Sequence, residues 1–424
     1  MRAEYILEYQ CPQCGAGVNL ADTDRIFCCS YCKTKLVVVG HPHYSYYLKP
    51  SAKAPKDLIF VPYWRFKGSQ WTLDARGVRS TLIDQTTCAS SFPGVPQTLG
   101  IRSQTVMMKL IQPLTDGVFL DAQVDCNTAR TKLFPSMSRQ AELARALLSD
   151  ESGGIPETQD LPALTAFSGE VISLIYAPYY VCNRILHDGV SLSALGAMSG
   201  AQPEMVDSRP KPPAFLSALC PLCGWDCLAE RDSQALLCIK CSKAWIGRET
   251  ALEPLEFQIS PGYEPGDIPI PFWRFEACAR RFPLRTYADL VRLTNLPRAI
   301  LPGMENQKLF FWIPAFKSSP ELFLRLAKLM TINQKSENCM STLSEAEYYP
   351  VTLPAEEAFK AIPIVLGDLG PSRKALLPQL GDNPFGLVSC NLTYIPFAST
   401  RCELVEKRFK FAVQSNALKW ARFL

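Results

Sequence analysis

The sequence predicts an α+β protein dominated by β structure, a tandem duplication of a zinc ribbon (rubredoxin-like or transcription-factor-like) with a β-rich domain after each copy. Three observations predict it. Two cysteine quartets with identical spacing occur in one chain, and an aromatic strand motif follows each at the same distance. The length, 424 residues, is more than one compact globule usually holds at ~100–200 residues per domain.

The first quartet is Cys11-Pro12-Gln13-Cys14-Gly15 with Cys29-Ser30-Tyr31-Cys32, and the second is Cys220-Pro221-Leu222-Cys223-Gly224 with Cys238-Ile239-Lys240-Cys241. Both read C-x2-C-x14-C-x2-C. Two thiolates separated by two residues turn toward one point, and two such knuckles supply the four tetrahedral ligands zinc prefers. Gly15 and Gly224 sit where a turning backbone needs positive φ. Four thiolates leave no open coordination position, so two structural zinc ions per chain are expected, held by Cys11, Cys14, Cys29 and Cys32 and by Cys220, Cys223, Cys238 and Cys241. Rubredoxin-like iron or a dithiol redox pair is the alternative. Rubredoxins normally have a wider gap and a glycine after the second knuckle, where this chain has Lys33 and Ser242. Cys28 and Cys227 have no cysteine at the matching position of the other copy and lie outside the shared ligand set, and Cys28 reads as a packed or spare thiol. The remaining cysteines, at 88, 126, 182, 278, 339, 390 and 402, show no pair spacing and read as core.

Each cysteine of the second quartet lies 209 positions after its counterpart, and the register continues past the metal. Val61-Pro62-Tyr63-Trp64-Arg65-Phe66 corresponds to Ile270-Pro271-Phe272-Trp273-Arg274-Phe275. Tyr176-Ala177-Pro178-Tyr179 pairs with Tyr394-Ile395-Pro396-Phe397 at offset 218. In residues 58–66, Phe60, Pro62, Trp64 and Phe66 lie on one face, and Ile59, Val61, Tyr63 and Arg65 on the other. Both faces are apolar enough to be covered, and the proline predicts an edge, a strand start or a bulge. Trp64 and Trp273 read as core, and Arg65 and Arg274 as capping an acidic partner or snorkelling. Residues 70–83 and 277–293 are expected to continue as strands or hairpin arms. Residues 138–148 and 320–332 read as helices, the latter with Leu322, Phe323, Leu326, Leu329 and Met330 in one stripe. Late strands are expected at 171–182 and 388–413. Loops are expected at 48–57, 153–161 and 261–267.

The proline-rich stretch 199–215 reads as an extended linker. The expected organisation is ribbon 1 at 1–40, a β-rich α+β domain at 41–204, a linker at 205–217, ribbon 2 at 218–250 and a second β-rich domain at 251–424.

Hydrophobic residues make up 47% and charged residues 20%, a globular composition that excludes disordered and collagenous classes. The net charge of +4 lacks the excess that binding a phosphate backbone leaves. The opening MRAEYILEYQ has no signal-peptide features, and no stretch approaches ~18 uncharged apolar residues. Residues 164–182 come nearest, but Ser168, Gly169, Glu170, Ser173 and Pro178 interrupt them and suit a strand. A cytoplasmic protein that crosses no bilayer is expected. Eight of the seventeen cysteines fall in C-x-x-C pairs, which suits metal in a reducing compartment better than a disulfide scaffold.

No G-x-S-x-G, Walker or G-x-G-x-x-G pattern occurs, and only His41, His43 and His187 are present, none repeated at the 209 offset. His41-Pro42-His43 reads as a loop after a ribbon already complete in ligands. Carboxylates such as Asp121, Asp125 and Glu151 are not placed together by the sequence. The expectation is not an enzyme. Neither ribbon is a basic patch, and Phe27, Tyr31, Trp225 and Trp245 are the aromatic residues near the metals. Nucleic acid is therefore the disfavoured alternative to a protein partner.

The run C-P-x-C-G, C-x-x-C and a V-P-Y-W-x-F-like strand resembles a group of poorly characterised bacterial zinc-ribbon proteins, relatives of which are named after transcription-factor or primosome zinc ribbons. The resemblance covers the ribbons and one strand in each half. It implies the eight knuckle cysteines as zinc ligands and nothing catalytic. Some members of such groups act beside membrane-associated assembly proteins, but many of them carry a span of their own, which this chain lacks. These readings converge on a non-enzymatic interaction, assembly or scaffold protein. A nucleic-acid-binding ribbon protein is the second reading and a rubredoxin-like redox protein the third.

Overall fold

The computed structural model describes residues 6–40, 43–74, 76–100, 108–112, 115–134, 164–198, 205–280, 282–334, 339–371, 373–380 and 385–421. The helix expected at 138–148, the loop at 153–161, His41, Glu151 and the start of the proline-rich stretch lie outside them.

The chain is α+β with β dominant, and the duplication extends through the larger domains. In the first copy the long strands Ile59–Leu73 and Leu164–Cys182 pair antiparallel with Pro62 opposite Tyr176 and Trp64 opposite Leu174. In the second, Ile268–Ala279 and Phe385–Ser399 pair with Pro271 opposite Tyr394 and Trp273 opposite Leu392. These are the same pairings at the two sequence offsets. The register shift after Gly169 has its counterpart at Val388, so the β-bulge is duplicated too. A third strand adds beside each Trp motif: Val78–Cys88 in one copy and Phe310–Pro314 in the other.

The proline of the motif lies inside the sheet, contrary to the edge, start or bulge expected. On one side Pro62 pairs with Tyr176. On the other, the neighbouring strand changes, from Val118–Phe119 opposite Ile59 and Phe60 to Val78–Cys88 beginning opposite Tyr63. Pro62 fills the gap between these neighbours, and its carbonyl still accepts from Ala89 N–H. Pro271 repeats this with Ala315 N–H.

The face assignment is as the alternation predicts. Phe60, Trp64 and Phe66 join one buried cluster, while Ile59, Val61 and Tyr63 join another. Each tryptophan donates its indole N–H to a later carbonyl, Trp64 to Val124 at 2.6 Å and Trp273 to Leu353 at 2.9 Å. The expected helix at 320–332 is Pro320–Asn333, with Leu322, Phe323, Leu326 and Met330 buried.

Two further expectations are corrected. Residues 277–293 do not continue as strand: pairing stops at Ala279, and a helix runs over Tyr287–Thr294. Thr286 and Asp289 form a reciprocal capping box at its start, and Asn295 closes it in left-handed backbone. The expected linker is also no free spacer. Ala214–Ser217 is a strand paired antiparallel with Lys35–Val39 of ribbon 1. Upstream, Asp207 accepts from Phe119 N–H, and the Arg209 guanidinium lies 4.8 Å from the Phe119 ring. Proline favours extended backbone whether or not that backbone is docked, so composition alone does not separate the two.

The halves also pack directly on one another. Trp71 and Leu73, at the far end of the first copy's long strand, enter the core of the second copy beside Phe323 and Leu366. Gly367 is needed there, because a Cβ would lie 2.0 Å from Leu73 Cδ2. Gly367→Ala is expected to destabilise the protein by ~1–3 kcal/mol through overpacking, measured by urea denaturation. The double variant Gly367→Ala/Leu73→Ala should lose less than the sum of the two single changes.

Candidate metal centres

Each ribbon brings its four cysteines together as the spacing predicts. Cys11, Cys14, Cys29 and Cys32 form one group and Cys220, Cys223, Cys238 and Cys241 the other, with all four sulfurs in each within 4.8 Å of one another. Each group can hold a metal ion. In the first, Cys11 and Cys32 sulfurs are 3.7 Å apart, as are those of Cys14 and Cys29. In the second the matching distances are 3.4 and 3.5 Å. A tetrahedral ion with metal–sulfur bonds of ~2.3 Å sets its ligands about 3.8 Å apart, so the cages fit one after slight expansion.

The knuckles owe this convergence to backbone turns. Gly15 N–H donates to Cys11 O and Gly224 N–H to Cys220 O, both at 2.8 Å, with φ of +74° and +67°. The second knuckles make the same turn at Lys33 and Ser242, with φ of +61° and +50°, where no glycine relieves the strain. Inward N–H groups favour thiolate. Cys32 is lowered to about 6 by the Thr34 hydroxyl and N–H. Cys220 is also lowered to about 6: burial opposes ionisation, and the N–H groups of Cys223 and Leu222 outweigh it. Four thiols this close cannot all ionise without a cation among them.

The ribbons occupy the middle of the molecule. In Lys35–Val39, Leu36 and Val38 belong to the first domain's core with Val61 and Tyr63, while Val37 and Val39 face ribbon 2. That second contact is an apolar seam in which Ile26, Val37 and Val39 meet Cys227, Leu236 and Trp245, with ligands Cys220 and Cys238 at its border. Arg25 and Ile26 N–H both donate to Arg231 O, and Lys35 Nζ donates to Cys227 O at 2.9 Å. Cys227 is buried in this seam. Cys28 is exposed and outside the quartet, and of the cysteines read as core Cys88 is buried whereas Cys182 and Cys402 are exposed.

Arg65 fixes ribbon 1 to its domain. Nearly fully buried, it donates to Asp22 of the ribbon at 2.7 Å and makes a two-pronged contact with Asp84, also at 2.7 Å. This is the capping role expected of it. Arg274 differs: Arg231 stands where the first ribbon has Asp22, and Phe310 takes the place of Asp84 in the third strand. Its guanidinium lies over the Phe310 ring at 3.6 Å. Ribbon 2, moreover, packs within the core holding Trp273 and Phe275, the face opposite Arg274.

Among the described residues, the other candidates have separate local partners. His43 packs edge-on against Trp64, and His187 stacks on Tyr180. Asp125 accepts from Asn127 and Thr128 N–H as the cap of a helix. No helix among the described residues is long and apolar enough to cross a membrane. No protein-family model, no curated protein and no solved structure matches the chain.

Replacing one ligand in either group, Cys14→Ser or Cys223→Ser, is expected to halve the metal bound per chain while the larger domains stay soluble, read by elemental analysis. Asp22→Asn should cost about 1.5–3 kcal/mol by weakening a charged hydrogen bond to a buried guanidinium. Arg274→Met, with no carboxylate partner lost, should cost under about 1 kcal/mol; denaturant titration distinguishes the two.

Proposed function

We propose that the chain is a non-enzymatic zinc-stabilised interaction or assembly protein that presents two ribbon-plus-β units to partner proteins in the cytoplasm. The observation that carries this reading is the closure of both cysteine cages. Four thiolates complete a tetrahedral ion in each, so nothing is left to bind substrate or water. Zinc, when bound, supplies a cross-link and no chemistry. The residues around it bind and orient: the knuckle N–H groups hold the sulfurs, and the seam holds one ribbon against the other. None of the seventeen cysteines is joined in a disulfide, which suits a reducing compartment. His43 and His187 pack against aromatic rings, which favours structural roles for them.

A nucleic-acid role has one observation in its favour. Trp225 is exposed with Lys240 Nζ 4.6 Å from its ring, a pairing that also suits an unstacked base.

The test is elemental analysis of protein purified without added metal, with ultraviolet absorbance recorded after a high-salt wash. Two zinc ions per chain, no nucleic acid and a protein partner retained at high salt are expected. Iron would instead make the cages redox centres. Salt-sensitive retention on polyanion with no protein partner would replace the reading by the nucleic-acid one.

A further inference from the structure

The two ribbons share a backbone plan, so each is a control for the other: what one exposes and its copy does not is not required by the fold. Leu219, Leu222, Trp225 and Leu228 of ribbon 2 are 44%, 66%, 57% and 45% exposed. At the matching positions ribbon 1 has Gln10, Gln13, Ala16 and Asn19. These four apolar side chains come from one hairpin, closed by the bridge Leu219–Asp226 and by Cys220 N–H to Trp225 O. Leu219 and Leu228 lie on its outer face, because the residue between Asp226 and Leu228, Cys227, points into the seam.

Cations stand beside this surface. Lys240 and Lys243, both exposed, flank the second knuckle at the positions of Tyr31 and Thr34 in ribbon 1, whose own knuckle lysines are Lys33 and Lys35. No carboxylate pairs with Lys240 or Lys243 among the described residues, and Lys35 of ribbon 1 interacts electrostatically with Asp226. Lys240 Nζ lies 4.6 Å from the Trp225 ring, so exposed apolar surface and a cation occur together on this ribbon.

We propose that this hairpin of ribbon 2 is a docking site for a short partner segment carrying bulky apolar residues and carboxylates. The proposal rests on the interaction role above and names the surface and the partner chemistry. Leucines give a base nothing to stack on, so a hairpin that exposes three leucines and one tryptophan fits an apolar peptide better than a nucleic-acid strand. One hairpin is far smaller than the ~800 Å² per partner of a stable interface between globular proteins, which points to a segment rather than a second copy of this chain. Lys240 and Lys243 supply the charge complementarity that selects acidic residues.

The test converts the patch to the sister ribbon's residues, Leu219→Gln, Leu222→Gln, Trp225→Ala and Leu228→Asn, which the ribbon backbone already accommodates. A second variant carries Lys240→Tyr and Lys243→Thr. The probe is a short fluorescein-labelled amphipathic peptide of Leu, Phe and Glu, titrated with the full chain by anisotropy, with a Lys-for-Glu version alongside. Both variants should keep two metals per chain, showing that the ribbon is folded. The Glu peptide should bind saturably to the natural chain, and about tenfold or more weakly to each variant. The Lys peptide should bind about tenfold more weakly than the Glu peptide. Equal binding of the two peptides, or binding unchanged by the apolar conversion, overturns the proposal. So does a labelled oligothymidylate or a concentration-dependent dimer that the conversion abolishes, since either gives the patch a different occupant. A protein partner retained equally by the converted chain overturns this site and leaves the interaction role standing; loss of any protein partner from the natural chain overturns that role itself.

Discussion

Leu36, Val37, Val38 and Val39 have no solvent face, and the arrangement of the whole molecule follows from where their side chains go. Leu36 and Val38 pack into the first domain, while Val37 and Val39 pack against ribbon 2. On the far side of ribbon 2, Ala235, Leu237 and Ala244 join the second domain's core. The ribbons are therefore the two inner layers of a four-layer stack, domain, ribbon, ribbon, domain. Each buried Val or Leu contributes about 1.5–3 kcal/mol, but only if the short hairpins presenting them stay formed. A hairpin of this size has marginal stability by itself, and the cysteine cages supply the constraint that keeps the seam in register.

Duplication of the sequence has not produced duplication of the arrangement. The paired long strands, the proline gap, the tryptophan clasp and the bulge recur in both copies, yet the ribbons meet different faces of their sheets. The arginine of the motif records the difference. Arg65 faces its ribbon and is held by Asp22 and Asp84, whereas Arg274 faces away from its ribbon and lies on Phe310. The ribbon edges differ likewise. Ribbon 1 has Ala214–Ser217 from the inter-repeat segment on its edge, and ribbon 2 uses its own Ala251–Leu255. One covalent connection thus serves both as a link and as an edge strand, which leaves the halves little freedom to move apart.

The cages and the duplicated strands were legible because both depend on local spacing: two residues between thiolates, alternation along a strand, and a constant offset between copies. The faces of Ile59–Leu73 followed from that alternation. Four features were not legible. The prolines looked like edge residues because nothing local shows that the neighbouring strand changes at that point. Residues 214–217 looked like linker because the strand they pair with lies far back in the chain. Residues 277–293 read as strand because they follow directly on the aromatic strand motif, which outweighed Thr286 and Asp289, whose three-residue spacing was the signal for a helix. The ribbon–ribbon seam had no local signature at all, beyond a strand, Leu-Val-Val-Val, with no polar face.

Through that seam the two ribbons form one cooperative unit. Amide hydrogen exchange in Cys223→Ser, loaded with metal at the first cage only, is the test of this coupling. Ile26 and Val37 to Val39 are expected to lose protection together with ribbon 2, although their own cage is intact. Full protection at those amides, with exchange confined to ribbon 2, would contradict it and make the ribbons independent modules.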